Sequence, residues 1–377
     1  MRLLSSNHWS ILIETVLFCF FSNRFYCYLT YSLLPIVSLT SCSRRWQLAG
    51  VAAGGALTLL LAYTLPTPHS PTPVPAPKTS SQPAPQPHPQ FLVTRNLYMP
   101  GHWRPHPELC PNQGEEMRLL ILVSSSPARA ARRMAVRLTW GHYTLQRDVT
   151  VAFVLGAMTS VAQVHAIAAE DDLYGDLIVS NTVHDDLHTT PLTISTLEWM
   201  CRYCPHTRFL LKTEDDVFLN VPWVRSFTSD DHVEKASRTV WGRVMRKALP
   251  NRNQHSKNYV STVQFPSTGP YPDFATGPAY LMSNDSVWPL LEAATAPRRR
   301  YLRLEDVFIT GVLAAELGIR RVHIPAFYNR KLAPHPCDIQ RIASVHMLLY
   351  HEQFDFWRKL LNPPATRYCN SVDKVPL

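Results

Sequence analysis

Apolar and polar positions alternate in blocks along residues 117–216. Two continuous apolar runs that end in small residues, 117–126 and 149–156, are typical of strands buried on both faces. The segment between them, ARAARRMAVRLTW, has its apolar positions on one side, as an amphipathic helix does. A third strand is predicted over 176–180, a helix over LTISTLEWMCRY and another strand over RFLLK. This alternation predicts an α/β fold with a mostly parallel central sheet.

The hydrophobic pattern before residue 91 is of another kind. Residues 46–65, WQLAGVAAGGALTLLLAYTL, carry no charge and are long enough to cross a bilayer as a helix. Arg44 and Arg45 directly precede them, and positive charge marks the cytoplasmic flank of a span. We therefore predict a type II signal-anchor with the C-terminal part in the lumen; a buried core helix is the alternative. Residues 1–45 form the cytoplasmic region, whose apolar stretches leave open a second membrane segment, an interfacial segment or a misassigned start codon.

Two further segments complete the predicted organisation. Residues 66–90, PTPHSPTPVPAPKTSSQPAPQPHPQ, are rich in proline and are predicted to be an extended, solvated stem. Residues 91–377 form the luminal domain, and an apolar fraction of 46% across the chain is ample for a sizeable core. A lumen permits disulfides, and the odd number of cysteines in this domain leaves at least one thiol unpaired. Cys201 and Cys204 lack a second pair at zinc-ribbon spacing, so a zinc site is disfavoured.

The charge balance narrows the class of ligand. A net charge of +9 and a pI near 9.2 suit membrane surfaces, nucleic acid or anionic small molecules such as nucleotides. No basic helix interleaved with aromatic residues and no zinc-finger spacing occurs, which disfavours nucleic acid. One acceptor sequon, at Asn284, is compatible with the secretory pathway.

The segment RFLLKTEDDVFLNVP, residues 208–222, carries the main candidate site. Glu214, Asp215 and Asp216 stand between two apolar runs, at the carboxyl end of a predicted strand. Ligands collect at such ends in parallel sheets, and carboxylate oxygens suit Mg²⁺ and Mn²⁺. A solvated turn is the ordinary alternative for an isolated acidic triplet. The apolar flanks favour the metal, because burying unpaired carboxylates costs several kcal/mol.

Three other features each have two interpretations. Asp306 lies in the first turn of a predicted helix over 304–318, where a carboxylate either caps the helix or serves as a general base. Arg133 and Arg137 are four residues apart and share a helix face, which is either a phosphate site or a solvated basic face. His346 is either a third metal ligand or a hydrogen-bonded structural histidine.

The order of these features resembles the β1,3-glycosyltransferase family, glycosyltransferase family 31, which contains galactosyl-, N-acetylglucosaminyl- and brainiac-type enzymes. The resemblance covers roughly residues 110–369. Its matching segments, in chain order, are RRMAVRLTWG (132–141), YGDLIV (174–179), CPHTRFLLKTEDDVFLNVP (204–222), WGRV (241–244), YPDFATGPAYLMS (271–283), LEDVFITGVLAAELGI (304–319) and CDIQRIASVH with EQFDFW (337–346 and 352–357).

The resemblance implies a GT-A type nucleotide-sugar-binding fold in a luminal catalytic domain, a Golgi location, a UDP-sugar donor and Mn²⁺. It implies inverting transfer of a hexose or N-acetylhexosamine, most often galactose or N-acetylglucosamine, to the 3-hydroxyl of a glycan on protein or lipid. Assembly with itself or with other glycosyltransferases is compatible with it. The implied roles are metal binding by Asp216 and His346, general base catalysis by Asp306, and donor binding by Glu214, Asp215, Arg133 and Arg137.

Some positions depart from the family pattern. Glu214 replaces the usual first aspartate of the D-x-D motif, the stretch 185–195 lacks the family's lysine, and Ala275 replaces a common cysteine. These departures leave one alternative function, a weakened pseudo-glycosyltransferase that binds UDP or glycan as an assembly partner. The family also implies a disulfide between Cys337 and Cys369.

Overall fold

A computed structural model describes residues 92–183, 189–333 and 335–362. The predicted N-terminal region, signal-anchor and stem, residues 1–45, 46–65 and 66–90, lie outside the described residues. Within the described ranges, no helix is both long enough and apolar enough to span a membrane.

Eleven strands form two sheets. They are β1 (His102–Arg104), β2 (Leu119–Ser125), β3 (Val149–Leu155), β4 (Leu177–Ser180), β5 (Phe209–Glu214), β6 (Phe218–Leu219), β7 (Thr239–Met245), β8 (Phe274–Ser283), β9 (Arg320–His323), β10 (Phe327–Tyr328) and β11 (Ser344–Val345). The central sheet has the order β1-β4-β3-β2-β5-β8-β7-β9, and the small sheet has the order β10-β11-β6. These counts of strands and sheets refer to the described residues, 92–183, 189–333 and 335–362.

The central sheet is mixed and mostly parallel. β2 pairs in parallel with both β3 and β5, β3 pairs in parallel with β4, and β7 with β9. β1 at one edge and β8 beside β5 run antiparallel to their neighbours. The predicted α/β fold is therefore confirmed, with antiparallel strands added to a parallel centre.

Helices cover both faces of this sheet. The α-helices are α1 (Ala130–Arg137), α2 (Val161–Tyr174), α3 (Thr190–Tyr203), α4 (Val221–Thr228), α5 (Asp231–Glu234), α6 (Asn284–Thr295), α7 (Ala314–Glu316) and α8 (Glu352–Leu361). A π-helix, Val307–Leu313, precedes α7, and 3₁₀ turns lie at Thr94–Asn96, Pro107–Leu109, Pro111–Gly114, Trp140–Leu145 and Ile339–Arg341. The predicted helix over 304–318 is thus π-helical in its middle part. π-Helices are rare in proteins, and those that do occur often lie at functional sites.

Alternate side chains of the central strands feed two hydrophobic cores. Leu120 and Leu122 of β2 join the core that contains α3 and α6. Leu119, Ile121 and Val123 join the opposite core, with α1, α4 and α8. Burial on both faces explains why β2 reads as a continuous apolar run.

One disulfide was not predicted from the sequence. Cys110 and Cys204 form a disulfide that ties the segment before β2 to the end of α3. Cys201 is the free thiol among the described residues. Cys337 is disulfide-bonded, and its predicted partner Cys369 lies outside the described residues.

Candidate active site

The acidic segment lies between β5 and β6, at the carboxyl end of the parallel strands. β6 pairs antiparallel with β11, so that Phe218 faces Val345. This register brings His346, the residue after β11, beside Asp216. The N–H of Leu348 donates to the carbonyl oxygen of Asp216 over 3.0 Å and holds the two segments together.

Glu214, Asp216 and His346 are the one cluster of three metal-type ligands in the described part of the chain. One ligand atom from each lies within 4.8 Å of the others. His346 Nε2 is 3.4 Å from Asp216 Oδ1 and 3.7 Å from Glu214 Oε2. Asp216 Oδ1 is buried and accepts no hydrogen bond from any described residue. Buried oxygens normally have a partner, so the carboxylates and the imidazole fit a divalent cation.

The protonation of this cluster follows from its charges. Burial by itself would lower the pKa of His346, but its contact with Asp216 and the charge of Glu214 raise it. Burial would raise the pKa of Asp216, yet His346 and the nearby arginines lower it. His346 Nδ1 lies 3.4 Å from the carbonyl oxygen of Asn329, an arrangement that orients Nε2 toward the carboxylates.

Asp215 points to other partners and is almost fully buried. Its carboxylate accepts from Ser125 Oγ at 2.7 Å and from Arg132 Nη1 at 3.0 Å, and Arg129 Nη1 lies 3.6 Å away. Burial raises the pKa of Asp215 in spite of these partners. The middle residue of the triplet therefore holds two arginines rather than joining the metal-type cluster.

A cavity of about 480 Å³ opens at the ends of β2 and β5. Basic and acidic side chains line it together; they include Arg129, Arg132, Lys212, Lys257, Arg303, Glu214 and Asp216. Arg132 Nη1 is also 3.4 Å from Asp216 Oδ2. Guanidinium groups beside a carboxylate cluster suit a phosphorylated ligand bound together with a cation.

The two arginines that were predicted to bind the nucleotide, Arg133 and Arg137, have other partners. Arg133 is fully buried, and its guanidinium pairs with Glu170 and with the loop after β2. Arg137 pairs with Asp176 at 2.7 Å and with Glu170 at 2.8 Å. The structure does not bring Arg133 and Arg137 to the cavity. The arginines of this region that line it, besides the distant Arg303, are Arg132, on the other side of α1, and Arg129, directly before that helix.

Lys212 contacts both Glu214, a residue of the metal-type cluster, and Glu305, the residue before the predicted base Asp306. This lysine is buried on β5, and its Nζ lies 3.0 Å from Glu305 Oε1 and 3.4 Å from Glu214 Oε1. Glu305 is buried too, and its second oxygen accepts from Tyr280 OH at 3.1 Å. Glu305 is therefore a structural partner of Lys212 and Tyr280.

Asp306 begins the π-helix with its carboxylate held by two backbone amides. Oδ1 accepts from Val307 N at 2.8 Å, and Oδ2 accepts from Gly277 N at 3.0 Å. Burial, followed by the charge of Glu305, raises the pKa of Asp306 to about 6, against the two amides and Lys212. A carboxylate with this pKa is ionised at neutral pH and more basic than an exposed aspartate, as a general base needs.

Arg129 and Arg132 were not among the predicted site residues, and two further residues that bear on this site were also missed. Lys212 stands two positions before Glu214 in a strand, and a period of two places both on one face, so a signal was present. Gln353 of α8 gave no such signal. Its buried amide donates to Val217 O at 3.2 Å and accepts from Trp140 Nε1 at 3.1 Å. These hydrogen bonds fix the backbone that directly follows the acidic residues 214–216.

The chain is similar to several known proteins. The family model described as Galactosyltransferase matches residues 131–325. Beta-1,3-galactosyltransferase 4 of Rattus norvegicus is 31% identical over 342 residues, 83% of this chain and 84% of the relative. Lactosylceramide 1,3-N-acetyl-beta-D-glucosaminyltransferase of Homo sapiens is 30% identical over 271 residues, 68% of this chain and 69% of the relative. A solved galactosyltransferase in complex with donor and acceptor sugar analogues is 12% identical, with a TM-score of 0.33 over 66% of this chain and 99% of that chain.

Proposed function

This chain belongs to the galactosyltransferase family, and we propose that it transfers a hexose or N-acetylhexosamine from a UDP-sugar to a glycan acceptor. The acceptor's 3-hydroxyl attacks the anomeric carbon in a single displacement, which inverts the configuration and gives a β1,3 linkage. The names of the two relatives point to galactosyl or N-acetylglucosaminyl transfer. A GT-A type fold is part of this proposal.

One observation carries the proposal: two residues of the metal-type cluster, Glu214 and Asp216, share the lining of one cavity with arginines at the ends of the parallel strands. Asp216, His346 and Glu214 would hold the cation, which we propose to be Mn²⁺ and which neutralises charge on the departing diphosphate when bound. Arg129 and Arg132 would donate hydrogen bonds to the phosphate oxygens. Asp215 holds these two guanidinium groups in place for that contact.

Asp306 is the proposed general base. Its carboxylate would take the proton of the acceptor's 3-hydroxyl as that oxygen bonds to the sugar and the bond to UDP breaks. The amides of Gly277 and Val307 fix the carboxylate, so little reorientation accompanies the proton transfer. Proton transfer by a positioned side chain contributes roughly 10²–10⁴-fold in enzymes.

The cellular setting is proposed from the N-terminal sequence. An uncharged span at 46–65, preceded by arginines and followed by a proline-rich stem, supports a type II protein of the Golgi membrane with a luminal catalytic domain. Its partners there would be the UDP-sugar donor and a glycan on protein or lipid, with homo- or hetero-oligomers among glycosyltransferases included in the proposal.

Turnover by the full-length protein tests the function. The chain, made in eukaryotic cells and solubilised in detergent, is assayed for UDP release from UDP-galactose, UDP-N-acetylglucosamine and UDP-N-acetylgalactosamine. The acceptors are β-galactosides, N-acetylglucosamine and mannose glycosides, each run with Mn²⁺ or with EDTA. We expect turnover from one donor that requires Mn²⁺.

Two variants assign the chemistry in that assay. Asp306→Asn should lose at least roughly 10²-fold in kcat, whereas Asp231→Asn, a substitution on the exposed helix α5, should keep full activity. UDP binding without turnover from any donor would favour the pseudo-glycosyltransferase, the alternative that Glu214 and the missing family lysine indicate. No binding of UDP at all would contradict the assignment of the cavity.

A further inference from the structure

Lys212 is a buried ammonium with three oxygen partners. Its Nζ lies 3.0 Å from the carbonyl oxygen of Gly277, 3.0 Å from Glu305 Oε1 and 3.4 Å from Glu214 Oε1. The lysine is 1% exposed, and Glu305 is 4% exposed. A buried charge of this kind persists only with such partners, so each of the three is fixed with respect to Lys212.

Gly277 transmits this arrangement to Asp306. The same residue accepts from Lys212 through its carbonyl oxygen and donates its N–H to Asp306 Oδ2 over 3.0 Å. A Cβ at position 277 would lie 2.9 Å from Glu305 Oε1, so only glycine lets the strand approach the two acids this closely. Lys212 and Asp306 therefore act on opposite sides of one backbone residue.

Glu214 is held from the other side of the lysine. Its Oε1 lies 3.4 Å from Lys212 Nζ, while its Oε2 lies 3.7 Å from His346 Nε2. The glutamate, one methylene longer than aspartate, thus spans from the buried lysine to the metal-type cluster. One lysine thereby contacts both functional regions of the site.

We propose that Lys212 is a positioning residue, whose ammonium joins Glu214 of the metal-type cluster to Glu305 and Gly277 and thereby holds the Asp306 carboxylate in place. This inference rests on the proposed role of Asp306 as the base. Lys212 reaches the reaction through Asp306 and Glu214, since its own donors are directed to Gly277, Glu305 and Glu214.

The charges around Asp306 give the proposal a signature. Glu305 disfavours the ionised form of Asp306, and Lys212 favours it, beside the two backbone amides. In the described part of the chain, Tyr271 and Tyr280 also interact with Asp306, and the pKa of each is raised, chiefly by burial, so both stay neutral near pH 7. Removing Lys212 or Glu305 should therefore shift the pH dependence in opposite directions.

The experiment compares Lys212→Met, Glu305→Gln and the double variant with the wild type as full-length proteins. The log of kcat is measured against pH at saturating donor and Mn²⁺, with Mn²⁺ affinity followed by electron paramagnetic resonance at each pH. We expect the acidic limb to move up by about one pH unit in Lys212→Met and down by a similar amount in Glu305→Gln. The double variant removes both charges, so it should fold even if Lys212→Met by itself fails to fold. The acidic limb of its kcat–pH profile should lie close to the wild-type position.

Thermal unfolding without Mn²⁺ gives a readout that does not depend on activity. An acid whose pKa is raised in the folded state costs stability as the pH rises from its unfolded to its folded pKa, about 4 to about 6 for Asp306. Glu305→Gln should lessen this loss of unfolding midpoint relative to the wild type, and Lys212→Met should enlarge it. Lys235→Met, at an exposed lysine of an i,i+4 pair, should change neither readout.

The outcomes separate this inference from the proposed function. Opposite shifts of the two single variants support the positioning role. Equal shifts, or none in folded variants, would overturn it even if Asp306→Asn is inactive. Full activity of Asp306→Asn would instead overturn the proposed base, and the unfolding midpoints would then still decide whether Lys212 and Glu305 act on Asp306.

Discussion

The four arginines in and just before helix α1 form two pairs with different roles. Arg133 and Arg137 face α2, and both reach Glu170. Arg129, just before α1, and Arg132 face the cavity instead and converge on Asp215. The four side chains are close in sequence and alike in chemistry, but they pair with different acids, and the pair held by Asp215 is the one that faces the cavity.

Arg133 has its hydrogen bonds satisfied within the protein, and Arg137 is paired with two acids. The five N–H groups of Arg133 are matched by contacts to Glu170, Ser125, Ser126 and Pro127. Arg137 makes a two-point contact with Asp176 and lies over the ring of Tyr174. A guanidinium whose donors are already used holds the fold, whereas one that lines a cavity can still bind a ligand.

Replacing Arg133 tests the structural side of the comparison and has the largest expected effect. Arg133→Met removes a fully buried guanidinium and leaves the half-buried Glu170 with Arg137 alone, so we expect a loss of about 3–5 kcal/mol in the free energy of unfolding. Chemical denaturation measures it, with Arg132→Met as the matched control. A change below about 1 kcal/mol would mean that the buried pair is dispensable.

Replacing Arg132 tests the ligand side. Arg132→Met removes a charge-assisted hydrogen bond of about 1.5–3 kcal/mol, which should raise the donor KM roughly 10–100-fold. The stability loss should be smaller than for Arg133→Met, because Asp215 keeps Ser125 and Arg129. Steady-state kinetics with the donor varied at saturating acceptor will show it. An unchanged KM would remove Arg132 from the donor site.

The pH dependence of kcat distinguishes the arginines, which stay charged throughout, from Asp306, which titrates. Burial raises the pKa of Asp306 to about 6, and the proposed base works in its ionised form. At saturating Mn²⁺ and donor, kcat should therefore fall about tenfold per pH unit below that value. A flat profile between pH 5 and 7 would contradict the assignment of Asp306.

Arg129 should show the smallest effect. Its Nη1 lies 3.6 Å from Asp215 Oδ1, and its side chain is about a third exposed, so solvent screens its charge. Arg129→Met should raise the donor KM only a few-fold, in line with about 0.2–1 kcal/mol for exposed ionic contacts. Measuring Arg129→Met beside Arg132→Met ranks the two cavity arginines. Equal effects of the two substitutions would mean that this exposed fraction does not set the strength of the contact.

Much of the fold followed from local pattern. The strand prediction over 149–156 is observed as Val149–Leu155, and the one over 176–180 as Leu177–Ser180. The spacing of Arg133 and Arg137 correctly placed them on one face. What the spacing could not tell is which acids that face meets. Glu170 and Asp176 come from α2 and the turn after it, and they turned the predicted nucleotide-binding pair into a structural one.

The sequence pattern predicts the alternation of strands and helices, the position of the acidic segment at a strand end and the sharing of helix faces. Backbone geometry repeats over a few residues, so these features are local. The tertiary structure decided that His346 meets Asp216, that Lys212 meets Glu305, and which side of α1 lines the cavity. The first encounter follows from the register of β6 with β11, and the others from packing between segments far apart in the chain. The local pattern of one segment does not identify the distant segment that it meets.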